Sequence, residues 1–293
     1  MKRISGPMSI VMVALYAVVA GAAAFLASPI DVGAVTLFSD AGATGAAIQD
    51  TVDAYRAALG DPLNGNDPGP LGVGRREINW DGGGPPVING TPPVTPFVVF
   101  ENSRGATFTT PGLGLTQAAA TGGLLSLDLI NPTYAAIFAP FSPNRLFTPL
   151  GSTITDVDFS VPGSGGDAPA GVRGFGAVFS DVDLAGETTI EYFNTSGASL
   201  GIFDVPAFAG DQTFSFFGIV TDVSESLIGS VRIVTGTDPL GPSESATVDL
   251  VVIDDVLYGE PQAVPEPWSP SLLSVGLLTL VALRRARWRA RVG

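Results

Sequence analysis

The sequence predicts a mainly β protein: an antiparallel β-sandwich, jelly-roll-like, with a short helical segment before it and an apolar helix at each end. Three observations predict this. Gly (37) and Pro (24) make up about a fifth of the 293 residues, which favours many turns over long helices. Hydrophobic residues reach 45% while charged ones are only 14%, enough apolar side chain for a sizeable core. From Val98 onward, runs of five to ten residues rich in Val, Ile, Phe and Thr recur between Gly, Pro, Asn and Asp.

Taken in order, Lys2 and Arg3 precede an uncharged apolar run, 10–27, and Val32-Gly33-Ala34 supplies small residues before a cut after Ala34. This is the pattern of a signal peptide over 1–34. A cut after Ala22-Ala23-Ala24, or an uncleaved anchor, is the alternative. Residues 35–97 read as a helix-containing segment and a Pro/Gly-rich linker. Ile48, Val52, Tyr55 and Leu59 share one helical face and Gly60 ends the helix. "DPLNGNDPGPLGVG" is turn-rich. "RREINW", Arg75 to Trp80, reads as a short strand.

Residues 98–259 read as the sandwich. Its strand signals are "FVVFEN", "GATFTTPG", "STITDVDFSVPG", "VRGFGAVFSDVD", "TTIEYFNTSGASLGIFDV", "QTFSFFGIVTD", "GSVRIVTG" and "TVDLVVIDDVLYG". In "TTIEYFN", Ile190 and Tyr192 alternate with Glu191 and Phe193; in "SVRIVTG", Val231 and Ile233 alternate with Arg232 and Val234. Period two with one polar face suits a half-exposed antiparallel sheet. "NTSG", 194–197, reads as a hairpin turn.

Residues 260–293 carry Val264-Pro265-Glu266-Pro267, then Trp268, then an uncharged run over 271–283, then Arg284, Arg285, Arg287, Arg289 and Arg291. Thirteen helical residues rise only about 20 Å, short of a hydrocarbon core of roughly 30 Å. Trp268 at one edge and snorkelling arginines at the other extend that reach, with the basic end on the cytoplasmic side. The order and spacing of these three parts resemble the PEP-CTERM sorting signal. The resemblance implies recognition by an exosortase, an integral-membrane transpeptidase-like enzyme of Gram-negative bacteria. It also implies transient residence in the inner membrane, then transfer to the cell surface or extracellular matrix, often with exopolysaccharide. An ordinary single-span tail is the alternative. "GFGAVFSDVD", "GIFDVPAFAGDQTFSFFGIV", "SVRI" and "VVIDDVLYG" further resemble the jelly-roll module common in PEP-CTERM proteins, similar in outline to lectin and carbohydrate-binding sandwiches.

The chain has no Cys and no His. Disulfides, thiolate sites and every His-based mechanism are therefore excluded, and no catalytic motif is present. Between Val35 and Val264 there are seven Arg against twenty-six Asp and Glu, a net charge of −19. Such a body repels phosphate backbones, so nucleic acid is not an expected partner. Trp80 beside Asn79 and Asp81 reads either as a sugar-stacking ligand site or as a buried Trp with an Arg–carboxylate pair holding a loop. Asp181, Asp183 and Asp254 are the metal candidates, with Ca²⁺ the cation they would suit, although strand-end acids are usually solvated. Asp254 and Asp255 point to opposite faces unless a bulge intervenes. A glycosidase needs two carboxylates facing a cleft, and nothing in the sequence singles out a pair. The resulting expectation is an exported binding or structural module, polysaccharide-associated and not an enzyme. The alternative is a secreted polysaccharide-acting glycosidase or lyase with a carboxylate site.

Overall fold

In the computed structural model the described residues are 35–81, 93–122, 126–222, 227–243 and 247–264. Ala34, Pro265, Glu266, Pro267, Trp268 and the arginines of 284–291 lie outside them. The order begins β1 (Val35–Gly42), α1 (Gly45–Leu59), β2 (Arg75–Ile78), α2 (Glu101–Arg104), β3 (Ala106–Thr109) and β4 (Gly114–Ala119). A 3-10 turn (Leu127–Leu129), α3 (Tyr134–Ile137), β5 (Arg145–Leu150), β6 (Ile154–Phe159), β7 (Ala170–Gly171) and β8 (Gly174–Ser180) follow. The last elements are β9 (Thr189–Asn194), β10 (Ser199–Asp204), β11 (Phe214–Thr221), β12 (Ile228–Val234), β13 (Val252–Gly259) and β14 (Gln262–Ala263).

Two antiparallel sheets make a sandwich. One has the order β1-β11-β8-β13-β5-β4, with β2 also paired to β13; the other is β10-β9-β12-β6-β3. The core between them is built by the alternation read in the sequence. Val157, Ile190, Tyr192, Val231 and Ile233 of the smaller sheet meet Phe175, Ala177, Phe179, Phe217 and Ile219 of the larger. In β8, β11 and β13 every residue is buried, because the second face of the larger sheet is also covered. Most of that cover is α1, whose Ile48, Val52, Tyr55 and Leu59 pack on Val178, Phe214, Phe216, Val220 and Leu257; Leu127, Tyr134 and Phe138 cover Val252. The four residues are the face the helical spacing predicts.

A pair of glycines admits the largest of them. Gly176 and Gly218 face each other across β8 and β11, and Cβ atoms built on them would fall 2.9 Å from the Tyr55 ring. The Tyr55 hydroxyl donates to the Ile219 carbonyl at 3.2 Å. Deep burial raises its pKa well above the usual tyrosine value.

The structure corrects three expectations. Residues 35–97 are not a segment apart, because β1 pairs with β11 and β2 with β13 inside the larger sheet. "FVVFEN" is not a strand: Phe97 makes one isolated bridge to Phe108, and Glu101 already opens α2. Phe97 and Phe100 are buried three residues apart while Val98 and Val99 are exposed, the signature of a turn rather than period two. Trp80 is fully buried, stacked on Phe147 at 3.8 Å with parallel rings and donating from Nε1 to the Asp254 carbonyl at 2.5 Å. It is a core residue and offers no platform to a sugar.

The second reading of that stretch holds. Arg76 and Glu260, both buried, form a bidentate pair, Nε–Oε2 2.6 Å and Nη2–Oε1 2.8 Å. Asn64 Nδ2 and the Leu71 N–H also donate to the Glu260 carboxylate, closing the turn-rich loop onto β13.

Candidate functional site

The face of the five-stranded sheet turned away from the core carries polar side chains in cross-strand rows. Asp158 of β6 lies opposite Thr107 of β3 on one side and Ser230 of β12 on the other. The next row places Asp156 opposite Arg232, and the two form a bidentate pair at 2.7 and 3.0 Å. Above the first row is a groove of about 520 Å³. Its walls are α2 with Glu101, the loop around Gly166, the β9–β10 turn with Asn194 and Thr195, and β7 with Val264 beside it.

Each wall has a local cause. Gly163 N–H donates to the Asn102 carbonyl at 2.7 Å, tying the 161–169 loop to α2. Asn194 Oδ1 accepts from Ser196 and Ala198 N–H at 3.0 and 2.9 Å, which shapes the expected hairpin turn. At Gly229 a Cβ would sit 2.8 Å from Thr195 Cα, so only glycine lets β12 pass beneath that turn. Val264 N–H donates to the Pro169 carbonyl at 3.1 Å, and β14 pairs with β7. The last described residue, Val264, therefore lies at the wall of the groove.

The groove's chemistry is acidic and hydroxylic. Among the described residues neither Lys nor Arg lines it, and the one aromatic among them, Phe159, is buried. Glu101 Oε2 accepts from Thr107 Oγ1 at 2.9 Å. Asp158 is exposed and has no hydrogen-bond partner among the described residues. Partial desolvation in the groove, and then the neighbouring Asp156, raise its carboxyl above the ordinary value.

The metal candidates separate. Asp181 and Asp183 follow β8. Asp249 accepts from the N–H groups of Asp183 and Leu184 at 3.1 and 3.2 Å, and Asp183 accepts from Gly210 N–H at 2.8 Å. Asp181 is buried in a left-handed backbone conformation (φ 73°), and its Oδ1 has no hydrogen-bond partner among the described residues. Desolvation, then Asp183, Asp211 and Asp249, push its carboxyl up to about 8. Asp254 belongs elsewhere. A bulge between Ile253 and Val256 turns Asp254 and Asp255 toward the same hydroxyl, with Ser142 Oγ at 3.2 and 2.6 Å. Arg56 Nη2 stands 3.6 Å from Asp255 Oδ2. Burial above all raises both carboxyls, Asp254 most. Asp181, Asp183 and Asp254 thus do not converge. Among the described residues no three His, Cys, Asp or Glu side chains form a group that could hold a metal ion.

A second cleft, about 420 Å³, lies beside β2 with Arg173, Asp61, Asp222 and Glu260 on its walls. The sequence reading singled out neither it nor the groove. The "DVDF" alternation did place Asp158 on a polar face, but Glu101 was hidden by the strand assigned to "FVVFEN".

No family model matches the chain, and no curated protein matches it. Among solved structures, it is similar to the crystal structure of the bacteriophage CBA120 tailspike protein 4 enzymatically active domain, at 13% identity and a TM-score of 0.26. The match covers 57% of this chain and 21% of that one.

Proposed function

We propose that this is an exported cell-surface or matrix protein whose body binds neutral polysaccharide in the groove of the five-stranded sheet. The groove carries the reading. Thr107, Asp158, Asn194, Thr195 and Ser230 present hydroxyl, carboxylate and amide groups from rigid strands and a tight turn. Sugar hydroxyls both donate and accept, so such a surface suits them. A body at −19 and a groove with no cation among its described lining residues favour an uncharged polymer over a uronic-acid one.

The positive n-region and apolar run before Ala34 support export. The Val264-Pro265-Glu266-Pro267 stretch, apolar run and arginines support sorting by an exosortase after transient residence in the inner membrane. Affinity electrophoresis tests the binding. Gels containing dextran, hydroxyethylcellulose or galactomannan should retard the protein in at least one case, and Ser230→Trp, which fills the groove, should abolish the retardation. Free migration in all three gels, or equal retardation of the variant, sinks the reading.

A further inference from the structure

The two carboxylates of the groove are held differently, and the difference suits chemistry as well as binding. Glu101 is aimed. Thr107 Oγ1 donates to its Oε2 at 2.9 Å, and the 161–169 loop closes over it so tightly that a Cβ on Gly166 would lie 2.9 Å from its Cδ. Asp158 stands directly across the β3–β6 ladder from the same Thr107, exposed and without a hydrogen-bond partner among the described residues. Directly opposed antiparallel residues have Cβ atoms about 4.5–5.5 Å apart. Thr107, bonded to one carboxylate and directly opposite the other, thus stands between the two acids and keeps them apart across the groove floor; an inverting hydrolysis needs such separated carboxyls, with room for a water and a sugar ring.

We propose that the groove hydrolyses a neutral polysaccharide, with Asp158 as general acid and Glu101 as general base. This rests on the polysaccharide-binding reading above. In the step, Asp158 gives its proton to the glycosidic oxygen as the bond from that oxygen to the anomeric carbon breaks. A water on the opposite face of the ring forms the new bond to that carbon, and Glu101 takes its proton. One water is consumed, one new reducing end appears, and the configuration at the anomeric carbon inverts. Glu101 returns its proton to solvent and Asp158 regains one.

The assignment of roles follows from the surroundings. Asp158 is partly desolvated in the groove, has Asp156 for a neighbour and has no side-chain donor among the described residues, so it retains its proton longer than an ordinary carboxylate. Thr107 engages one oxygen of Glu101 and leaves the other for the water. Ser230 and Asn194 remain to hold the flanking sugars. The reaction needs neither of the two side chain types, His and Cys, that the chain lacks.

The test is release of reducing ends from dextran, hydroxyethylcellulose and galactomannan by the full chain. Asp158→Asn and Glu101→Gln are purified in parallel, each checked by a thermal melt. At least one polymer should yield new ends, and each variant should lower the rate at saturating polymer at least ~100-fold while melting like the wild type. Proton NMR of the first products should show the inverted anomer. Retardation without release by the wild-type protein overturns the hydrolysis and leaves the binding reading standing. Release that survives in both variants, or a retained anomer, also overturns it. Absence of both release and retardation defeats the two readings together.

Discussion

Replacing Asp181 by Asn should flatten the fall of stability with rising pH. The wild-type carboxyl lies near 8 in the folded protein, against an ordinary 3.8, with burial the first cause and Asp183 the second. The folded state therefore holds a proton that the unfolded chain gives up. The contribution is complete below about pH 4 and is lost as pH rises toward 8, after which it levels off. At about 1.4 kcal/mol per pH unit, the interval from pH 5 to 8 costs at most roughly 3–4 kcal/mol. For a domain of this size that is a midpoint shift of roughly 7–14 °C. Asn keeps the shape of the protonated side chain and tolerates the left-handed backbone at φ 73°. Thermal melts at pH 5, 6, 7 and 8 should thus show the variant level with wild type at pH 5 and above it at pH 8. Asp254 and Asp255 are raised as well and slope both proteins alike, so the difference between the curves reports Asp181 together with its coupling to Asp183, Asp211 and Asp249. Parallel curves would refute the reasoning.

Three further outcomes are expected. Gly218→Ala should lower stability by about 1–3 kcal/mol in chemical denaturation, because its Cβ would stand 2.9 Å from the Tyr55 ring and 3.0 Å from Gly176 Cα. Glu260→Gln should cost about 3–5 kcal/mol in the same assay, since it leaves the buried Arg76 guanidinium without its anion. Intact-mass measurement on protein from its native host should show loss of 1–34 and of the basic tail, whereas a full-length mature species would contradict sorting.

Much of the fold was legible because burial follows period. Residues 48, 52, 55 and 59 lie on one helical face and all are buried against the sheet. The alternations of β9 and β12 and the turn between β9 and β10 likewise follow from local pattern. Elements whose reason is long-range were not legible. β4, "GLTQAA", has few strand-forming residues and exists through its ladder with β5, while β5 contains Pro149, which argues against a strand. β1 is an edge strand whose Leu37 is exposed, so its own pattern is weak. Trp80 sits among polar neighbours in sequence but is covered by Phe97, Phe100, Phe108 and Phe147, three of them from separate elements or loops. At the site, Asp158 could be read as outward-facing. Its pairing with Glu101 through Thr107 depends on the turn at 97–101 and the β3–β6 register, neither of which a local pattern encodes.

The groove as the polysaccharide site is tested most directly by hydrogen exchange with mass spectrometry, comparing the full chain alone and saturated with the neutral polymer that retards it. Amides in α2, in the 161–169 loop and in the β9–β10 turn border the groove and should exchange more slowly with the polymer present. Exchange in α1, on the far face of the larger sheet, should not change. Unaltered exchange at those three walls, or slowing confined to the cleft around Gly72, Gly74 and Arg173, would contradict the account.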